Sequence, residues 1–222
     1  DNTSAPLLAR PFDHGAAIIV YSTTKYIGGH GTSIGGIIVD GGNFDWAAFP
    51  ERQPLLNTPH PSLHGAIWTE AAKPLGPVAY ALRARTVLLR DLGAALSPFN
   101  AFQILQGLET LPLRMPRHCE NALKVVDFLS ARTEVKEVIH PSVQSGIQRE
   151  RADRYLPGGL GGLIGFELTG GRDAGRRFIE ALLTNDEIEA ATESAPRAFV
   201  HCNTSPGTRQ PARPRTMRST KQ

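Results

Sequence analysis

Strand-length apolar runs alternating with helix-period segments predict an α/β protein for this chain of 222 residues. Three observations carry the prediction. Residues 16–21 and 34–40 are short, continuous apolar runs, the second closed by Gly41-Gly42. Residues 76–92 and 97–129 repeat their apolar side chains at the helical period, with Arg and polar residues between. Residues 135–139 and 161–168 return to the strand pattern, and 172–183 to the helical one.

Taken in order, residues 1–10 are short and polar with Pro6, and Pro11 follows, so they are extended or loop-like. The first strand, 16–21, has the unbroken apolar character of a strand buried on both faces. The second covers 34–40, and the loop between them holds Gly28, Gly29, His30 and Gly31. Residues 43–61 mix aromatics with Pro50, Pro54 and Pro59, the composition of an irregular surface excursion. In 76–92, Val78, Leu82, Val87, Leu88 and Leu89 recur among Arg83, Arg85 and Arg90, and Gly93 closes the segment as a C-cap. Ser97-Pro98 reads as an N-cap followed by a first-turn proline. That helix runs through Phe99, Phe102, Leu105 and Leu108, is disturbed near Pro112 and Pro116, and resumes over 123–129, as a helix bridging two domains would. A smaller α/β pattern follows. Beyond about Thr184 the periodicity fails, and 203–222, with Pro206, Pro211, Pro214 and no apolar face, reads as disordered. No internal repeat is present.

Composition narrows the function classes. The hydrophobic fraction is 41%, and no apolar run approaches the ~20 residues of a membrane span, so no membrane partner is expected. The chain opens on Asp1-Asn2-Thr3 without an initiator methionine, basic region or signal-like core, and reads as the middle of a longer sequence. Cys119 and Cys202 lie far apart without metal-ligand spacing, which points to inert thiols, no metal site and a reducing, cytoplasmic setting. The net charge is +3, but six of the 24 basic residues (Arg197, Arg209, Arg213, Arg215, Arg218, Lys221) fall within 197–222, which has no acid. Residues 1–196 therefore carry 18 basic against 21 acidic side chains, a net −3, and no nucleic-acid partner is expected for the body of the chain.

The stretch with most chemistry is Tyr21-Ser22-Thr23-Thr24-Lys25-Tyr26-Ile27-Gly28-Gly29-His30-Gly31. A lysine directly after hydroxyl side chains and before a glycine-rich turn suits an amine that gives up its charge to form an imine, with hydroxyls holding a phosphate beside it. By itself the run is a weak signal that more often marks a solvated lysine, beside hydroxyls that cap the turn, and His30 reads as hydrogen-bonded inside the glycine loop rather than catalytic. The glycines are not a nucleotide-binding P-loop, because no Gly-Lys-Ser/Thr follows them. Asp13 and His14 read as loop surface, Trp46, Trp68 and Phe99 as core or subunit-contact aromatics, and Cys119 as a small apolar residue of the long helix.

With Asp1-Asn2-Thr3, Arg10-Pro11-Phe12-Asp13-His14-Gly15-Ala16 and Ser22-Thr23-Thr24-Lys25-Tyr26-Ile27-Gly28-Gly29-His30-Gly31 in view, the chain resembles the pyridoxal-phosphate enzymes of cysteine and methionine metabolism. Gly31-Thr32-Ser33-Ile34-Gly35-Gly36, Leu96-Ser97-Pro98-Phe99-Asn100-Ala101-Phe102 and Leu105-Gln106-Gly107-Leu108-Glu109-Thr110-Leu111 are most similar to the O-acetylhomoserine sulfhydrylases among them. The resemblance covers residues 1 to about 183. It implies a fold-type I (aspartate aminotransferase-like) α/β architecture: part of the cofactor-binding large domain and the start of the bridging helix over 1–118, part of a small C-terminal domain over 119–183, and a non-matching basic tail over 184–222. It implies that Lys25 binds pyridoxal 5'-phosphate covalently and later moves protons at the substrate, and that Asp1 faces the pyridine nitrogen. Ser22 and Thr24 would bind the phosphate, with Thr3 near the ring.

The implied reaction is γ-replacement on O-acetyl-L-homoserine by sulfide or methanethiol, giving homocysteine or methionine and acetate, in a homo-oligomer built as a dimer of dimers. A γ-lyase or cystathionine γ-synthase of the same family is the alternative enzyme. The resemblance also implies that two family segments are missing: an N-terminal portion with an aromatic that stacks on the cofactor ring, and a C-terminal segment with the arginine for the substrate carboxylate. The expectation is a fragment, its tail read in a shifted frame or else a true basic extension. An inactive fragment or interaction piece is the alternative of another class.

Overall fold

The computed structural model describes residues 1–183 and 199–202. The basic tail residues Arg197, Arg209, Arg213, Arg215, Arg218 and Lys221 lie outside the described residues.

β1 (Ile18–Ser22) and β2 (Gly36–Asp40) pair antiparallel, in register from Ile18 opposite Asp40 to Ser22 opposite Gly36. The apolar run 16–21 was expected to be buried on both faces. Among the described residues it is not: Ile19 is 5% exposed, but Val20, Ile37 and Ile38 are 41–47% exposed. The adjacent residues Ile37 and Ile38 point to opposite faces, so the described residues leave both faces of β2 partly uncovered, while in β1 Ile19 alone is buried.

The excursion over 43–61 is more ordered than its composition implies. It contains a short helix, α1 (Pro54–Asn57), started by Pro54 in its first turn. Leu56 is buried with Trp68, Ala72 and Ala79, and half-buried Trp46 packs on them, stacked on Tyr80 at 5.3 Å. Asn57 Nδ2 donates to Trp46 O and Gln53 O, while Thr69 Oγ1 donates to Asn57 Oδ1. Those bonds tie the excursion to α2 (Trp68–Ala72). The helix expected over 76–92 is α3 (Ala79–Arg83) running into a π-helical segment, Ala84–Asp91. Gly93 follows with φ +75°, the left-handed position a glycine terminator takes.

Two helices replace the long interrupted one. α4 (Pro98–Glu109) starts at Ser97, whose hydroxyl makes no capping bond, and α5 (Leu111–Ser130) follows after Thr110. Pro112 falls in the first turn of α5, where its missing N–H needs no partner. Pro116 lies inside the helix, and α5 continues through it. The buried residues of α5 are Leu111, Met115, His118, Ala122, Val126 and Leu129, spaced by three or four and so on one face. That face serves two core clusters. Leu111 and Met115 pack with Leu8, and Ala122, Val126 and Leu129 pack with Ile164 and Phe166.

The second sheet has β4 (Leu163–Leu168) at its centre, antiparallel to β3 (Val135–Ile139) and parallel to β5 (Phe199–Cys202). α7 (Gly171–Leu183) covers β4 through Phe178, edge-on to Phe166 at 5.5 Å. Two features were not expected. β5 lies inside the stretch 184–222 that composition marked as irregular, where its four residues find the open edge of β4. α6 (Gly146–Tyr155) buries only Ala152, so its sequence carries no apolar period to announce it.

Candidate active site

β1 ends at Ser22, and the chain turns at once through Thr23–Ile27. Thr23 N donates to Gly35 O at 3.0 Å, one pairing step beyond the ladder. The turn closes with Gly28 N on Thr23 O at 2.9 Å and Gly29 N on Lys25 O at 2.8 Å, Gly29 being left-handed at φ +75°. Within it Lys25 departs from helical geometry, with φ −88° and ψ −126°. The backbone therefore kinks at the lysine itself. The Lys25 side chain is exposed, and among the described residues no hydrogen bond or ion pair engages its amine.

The other expected residues gather at the same strand end. Asn2 N donates to Val20 O at 3.0 Å, and Ser22 N donates to Thr3 Oγ1 at 2.8 Å, so residues 1–3 run along β1 up to Ser22. Asp1 Oδ1 accepts from Thr3 N at 2.9 Å, which leaves its second oxygen without a partner among the described residues. Thr3 is thus a strand fastener whose hydroxyl is already in use. Ser22 Oγ has no partner among the described residues. Thr24 differs. Its hydroxyl donates to Gly35 O at 3.2 Å and accepts from Gly35 N at 2.9 Å, so it closes the loop on β2. As expected, His30 is bonded within the glycine loop, its Nδ1 lying 2.8 Å from Gly28 O.

Three participants escaped sequence reasoning. Asn2 is buried, with Nδ2 donating to Ala9 O and Tyr21 Oη. Thr23 Oγ1 is buried without a partner among the described residues, against Gly35, where a Cβ would lie 2.7 Å from it. Arg114 donates to Tyr26 O at 2.7 Å, Ile27 O at 3.2 Å, Gly107 O at 2.7 Å and Thr110 Oγ1 at 2.9 Å. Burial lowers its pKa, and a guanidinium remains charged regardless. Neither asparagines nor arginines of this kind stand out in a sequence. The glycine Gly107 was visible inside the helix pattern, and its reason is now clear: a Cβ there would lie 2.0 Å from Gly28 O.

Behind the loop, Tyr26 packs edge-on to His118 at 5.1 Å, and both Tyr26 Oη and His118 Nδ1 are buried without partners among the described residues. Burial raises the Tyr26 pKa, with Cys119 adding to the effect. Burial lowers the His118 pKa, helped by the Arg114 charge, and this keeps the imidazole neutral near pH 7. No group of three or more metal-ligating side chains is present among the described residues, and no described helix is long and apolar enough to cross a membrane.

Chemically, among the described residues, the strand end offers the unpaired amine of Lys25, a free hydroxyl on Ser22, an orphaned hydroxyl on Thr23 and a carboxylate with one open oxygen on Asp1. That donor set fits pyridoxal 5'-phosphate: an amine for its carbonyl carbon, a hydroxyl for its phosphate and a carboxylate for its ring nitrogen. Thr24 fits only by exchanging its long donation to Gly35 O for a phosphate oxygen.

Comparison with known proteins agrees with this chemistry. The Cys/Met metabolism PLP-dependent enzyme family matches residues 1–191, past the 183 at which the resemblance was expected to stop. The chain is 48% identical over 189 residues to an O-acetyl-L-homoserine sulfhydrylase of Leptospira meyeri, covering 82% of this chain and 42% of that one. It is 46% identical over 184 residues to a homocysteine synthase of Schizosaccharomyces pombe, with the same coverage of 82% and 42%. A Campylobacter jejuni crystal structure that carries N'-pyridoxyl-lysine-5'-monophosphate superposes with a TM-score of 0.68 at 37% identity, over 76% of this chain and 41% of that one. The chain thus spans about two-fifths of the length of the relatives it matches.

Proposed function

Since the chain belongs to the Cys/Met metabolism PLP-dependent enzyme family, with its fold-type I architecture, we propose that it carries the cofactor lysine, Lys25, of an O-acetylhomoserine sulfhydrylase. The reaction replaces the γ-acetoxy group of O-acetyl-L-homoserine by sulfide or methanethiol, giving homocysteine or methionine and acetate. One observation of the structure carries the site: the non-helical residue of the tight turn after β1 is Lys25, whose exposed amine has no partner among the described residues, while the backbone around it is bonded within the turn. The names of the relatives at 46–48% identity favour sulfhydrylation over γ-lyase or cystathionine γ-synthase activity.

When bound, pyridoxal phosphate supplies an electron sink for charge developing at the substrate α-carbon. The chain's own residues do the rest. Lys25 Nζ, in its neutral form, takes the proton from the substrate α-carbon. Loss of a second proton, from the β-carbon, then expels acetate from the γ-carbon. The sulfur nucleophile gives up its own proton as it bonds there, and the α- and β-carbons regain theirs. The Asp1 carboxylate holds a proton on the ring nitrogen facing it by opposite charge. Ser22 Oγ donates to a phosphate oxygen, and Thr24 Oγ1 adds a second donor after releasing Gly35 O. Thr3 and Asn2 keep Asp1 in place through their bonds to β1. On the same reading the amino-acid substrate is handled in the cytoplasm by a homo-oligomer, a dimer of dimers.

Incubation of the purified protein with pyridoxal phosphate, followed by borohydride reduction and peptide mapping, tests the assignment. The reduced adduct is expected on Lys25, and Lys25→Ala should abolish it and lower turnover of O-acetylhomoserine plus sulfide by roughly 10²–10⁴-fold. A specific adduct on another lysine would overturn the role of Lys25. Cystathionine or α-keto acid as the main product would overturn the sulfhydrylation.

A further inference from the structure

We infer that Arg114, on α5, is a positioning residue for Lys25: its guanidinium sets the peptide groups that follow the lysine and so fixes the kink from which the lysine side chain departs. The inference rests on the reading of Lys25 as the cofactor lysine. It concerns a residue 88 positions away in sequence from the loop it holds.

Four of the five N–H donors of this guanidinium are in use. Nη1 and Nη2 reach the carbonyls of Tyr26 and Ile27, the two residues directly after Lys25. The same Nη2 also holds Gly107 O near the end of α4, and Nε holds Thr110 Oγ1 at the α4–α5 junction. One planar group therefore ties the lysine turn to both helices at once. No carboxylate pairs with Arg114 among the described residues, so its charge is spent on backbone carbonyls. Carbonyls near a helix C-terminus carry partial negative charge, which favours a cation at this spot.

The surrounding glycines show how closely the loop is fitted to the group. A Cβ on Gly29 would lie 2.6 Å from Arg114 Nη1, and one on Gly107 would lie 2.0 Å from Gly28 O. The chain between 28 and 29 is thus wrapped onto the guanidinium on one side and onto α4 on the other. A lysine at 114 would bring a charge without the planar fork and could not span three carbonyls in fixed directions. Since Lys25 O is itself bonded by Gly29 N, the lysine's own peptide group is held by the residue that rests on Arg114.

The test uses Arg114→Met and Arg114→Lys with two readouts. Amide hydrogen exchange without cofactor is expected to rise by at least about tenfold at Gly28 and Gly29 in Arg114→Met, the factor that loss of one net hydrogen bond represents. Exchange in β4 should stay unchanged, and Arg114→Lys should restore only part of the protection. In parallel, the pH midpoint of the visible absorbance of cofactor-loaded protein should shift in both variants. The yield of reduced adduct at Lys25 should fall in the order Arg, Lys, Met. Unchanged exchange at 28–29 in Arg114→Met, or full recovery by Arg114→Lys of both exchange and pH midpoint, would overturn the inference. If Arg114→Met raises exchange throughout, Arg114→Lys decides: a rise confined to 26–29 supports the positioning role, and no local rise refutes it. An absent Lys25 adduct in the unmodified protein would refute the proposed function, while the exchange arm still judges the hold of Arg114 on the loop.

Discussion

The two sheets of this chain have similar apolar sequences and opposite surroundings. In β4, Ile164 and Phe166 are 0% and 1% exposed, enclosed by Ala122, Val126 and Leu129 of α5 on the core side and touched by Phe178 of α7. In β2, Ile37 and Ile38 are 47% and 42% exposed, and among the described residues no core cluster includes them. Order around Lys25 comes partly from burial, through Tyr26 and Ile27 packed on Leu8, Leu111 and Met115, and partly from polar contacts. The loop is held by backbone bonds to Gly35, by the close approach of Gly107 and by the guanidinium of Arg114. The second sheet is held mainly by burial, and the turn at the end of β1 by burial on one side together with directional polar contacts. Directional contacts define where an amine points in a way that apolar packing does not, because they fix angles as well as distances.

The largest test of that contrast is a pair of truncations. Phe166→Ala is expected to destabilise the protein by about 3–5 kcal/mol, as removal of a fully buried aromatic does. Ile38→Ala should change stability by about 1 kcal/mol or less, in the manner of a surface position. Denaturant titration of both variants measures the difference. Comparable losses would break the comparison, since they would mean that the β1–β2 face is covered in solution.

An intermediate effect is expected at the α4 contact. Alanine is the better helix former by about 1 kcal/mol, yet Gly107→Ala should destabilise by about 1–3 kcal/mol because its methyl would occupy the place of Gly28 O. A stabilised Gly107→Ala protein would show that the loop is free to move away from α4 and that the polar contacts do not define it.

The smallest effect is in pH dependence, and it separates the two regions through their histidines. Burial lowers the pKa of both His118, behind the lysine loop, and His140, next to the second sheet, from the ordinary 6.5. The unfolded chain therefore binds more protons than the folded one as pH falls below about 6.5, and stability drops there until the lowered folded pKa values are passed. Above about 6.5 neither group contributes a slope. Denaturation midpoints between pH 5 and 8 should show this, and His118→Gln should remove about half of the histidine-dependent slope. An unchanged slope would mean that the Tyr26–His118 pocket is hydrated and its imidazole not shielded.

Local features of the chain were legible wherever the signal was short-range. The lysine turn, the start of α4 at Ser97-Pro98, the C-terminal glycine at Gly93 and the strands expected over 135–139 and 161–168, the second observed over Leu163–Leu168, follow from neighbouring residues. Polar α6 was hidden because it buries one side chain. The anchoring of 43–61 was hidden because it depends on Asn57 meeting Thr69 and Trp46 across a turn. Thr24 shows the limit within the motif itself. Its hydroxyl type suited a phosphate, and its location turned it onto Gly35.

By itself the sequence determined the α/β alternation, the identity of the lysine turn and the family to which the chain belongs, since those reside in residue types and short spacings. Tertiary structure alone decided that Asp1 and Thr3 run along β1, that Gly107 admits the loop, and that Arg114 clasps the carbonyls after Lys25. Each of those contacts joins residues at least 18 positions apart. Their partners are carbonyl and N–H groups that every residue type carries, so no pattern of side chains could have announced which ones would meet.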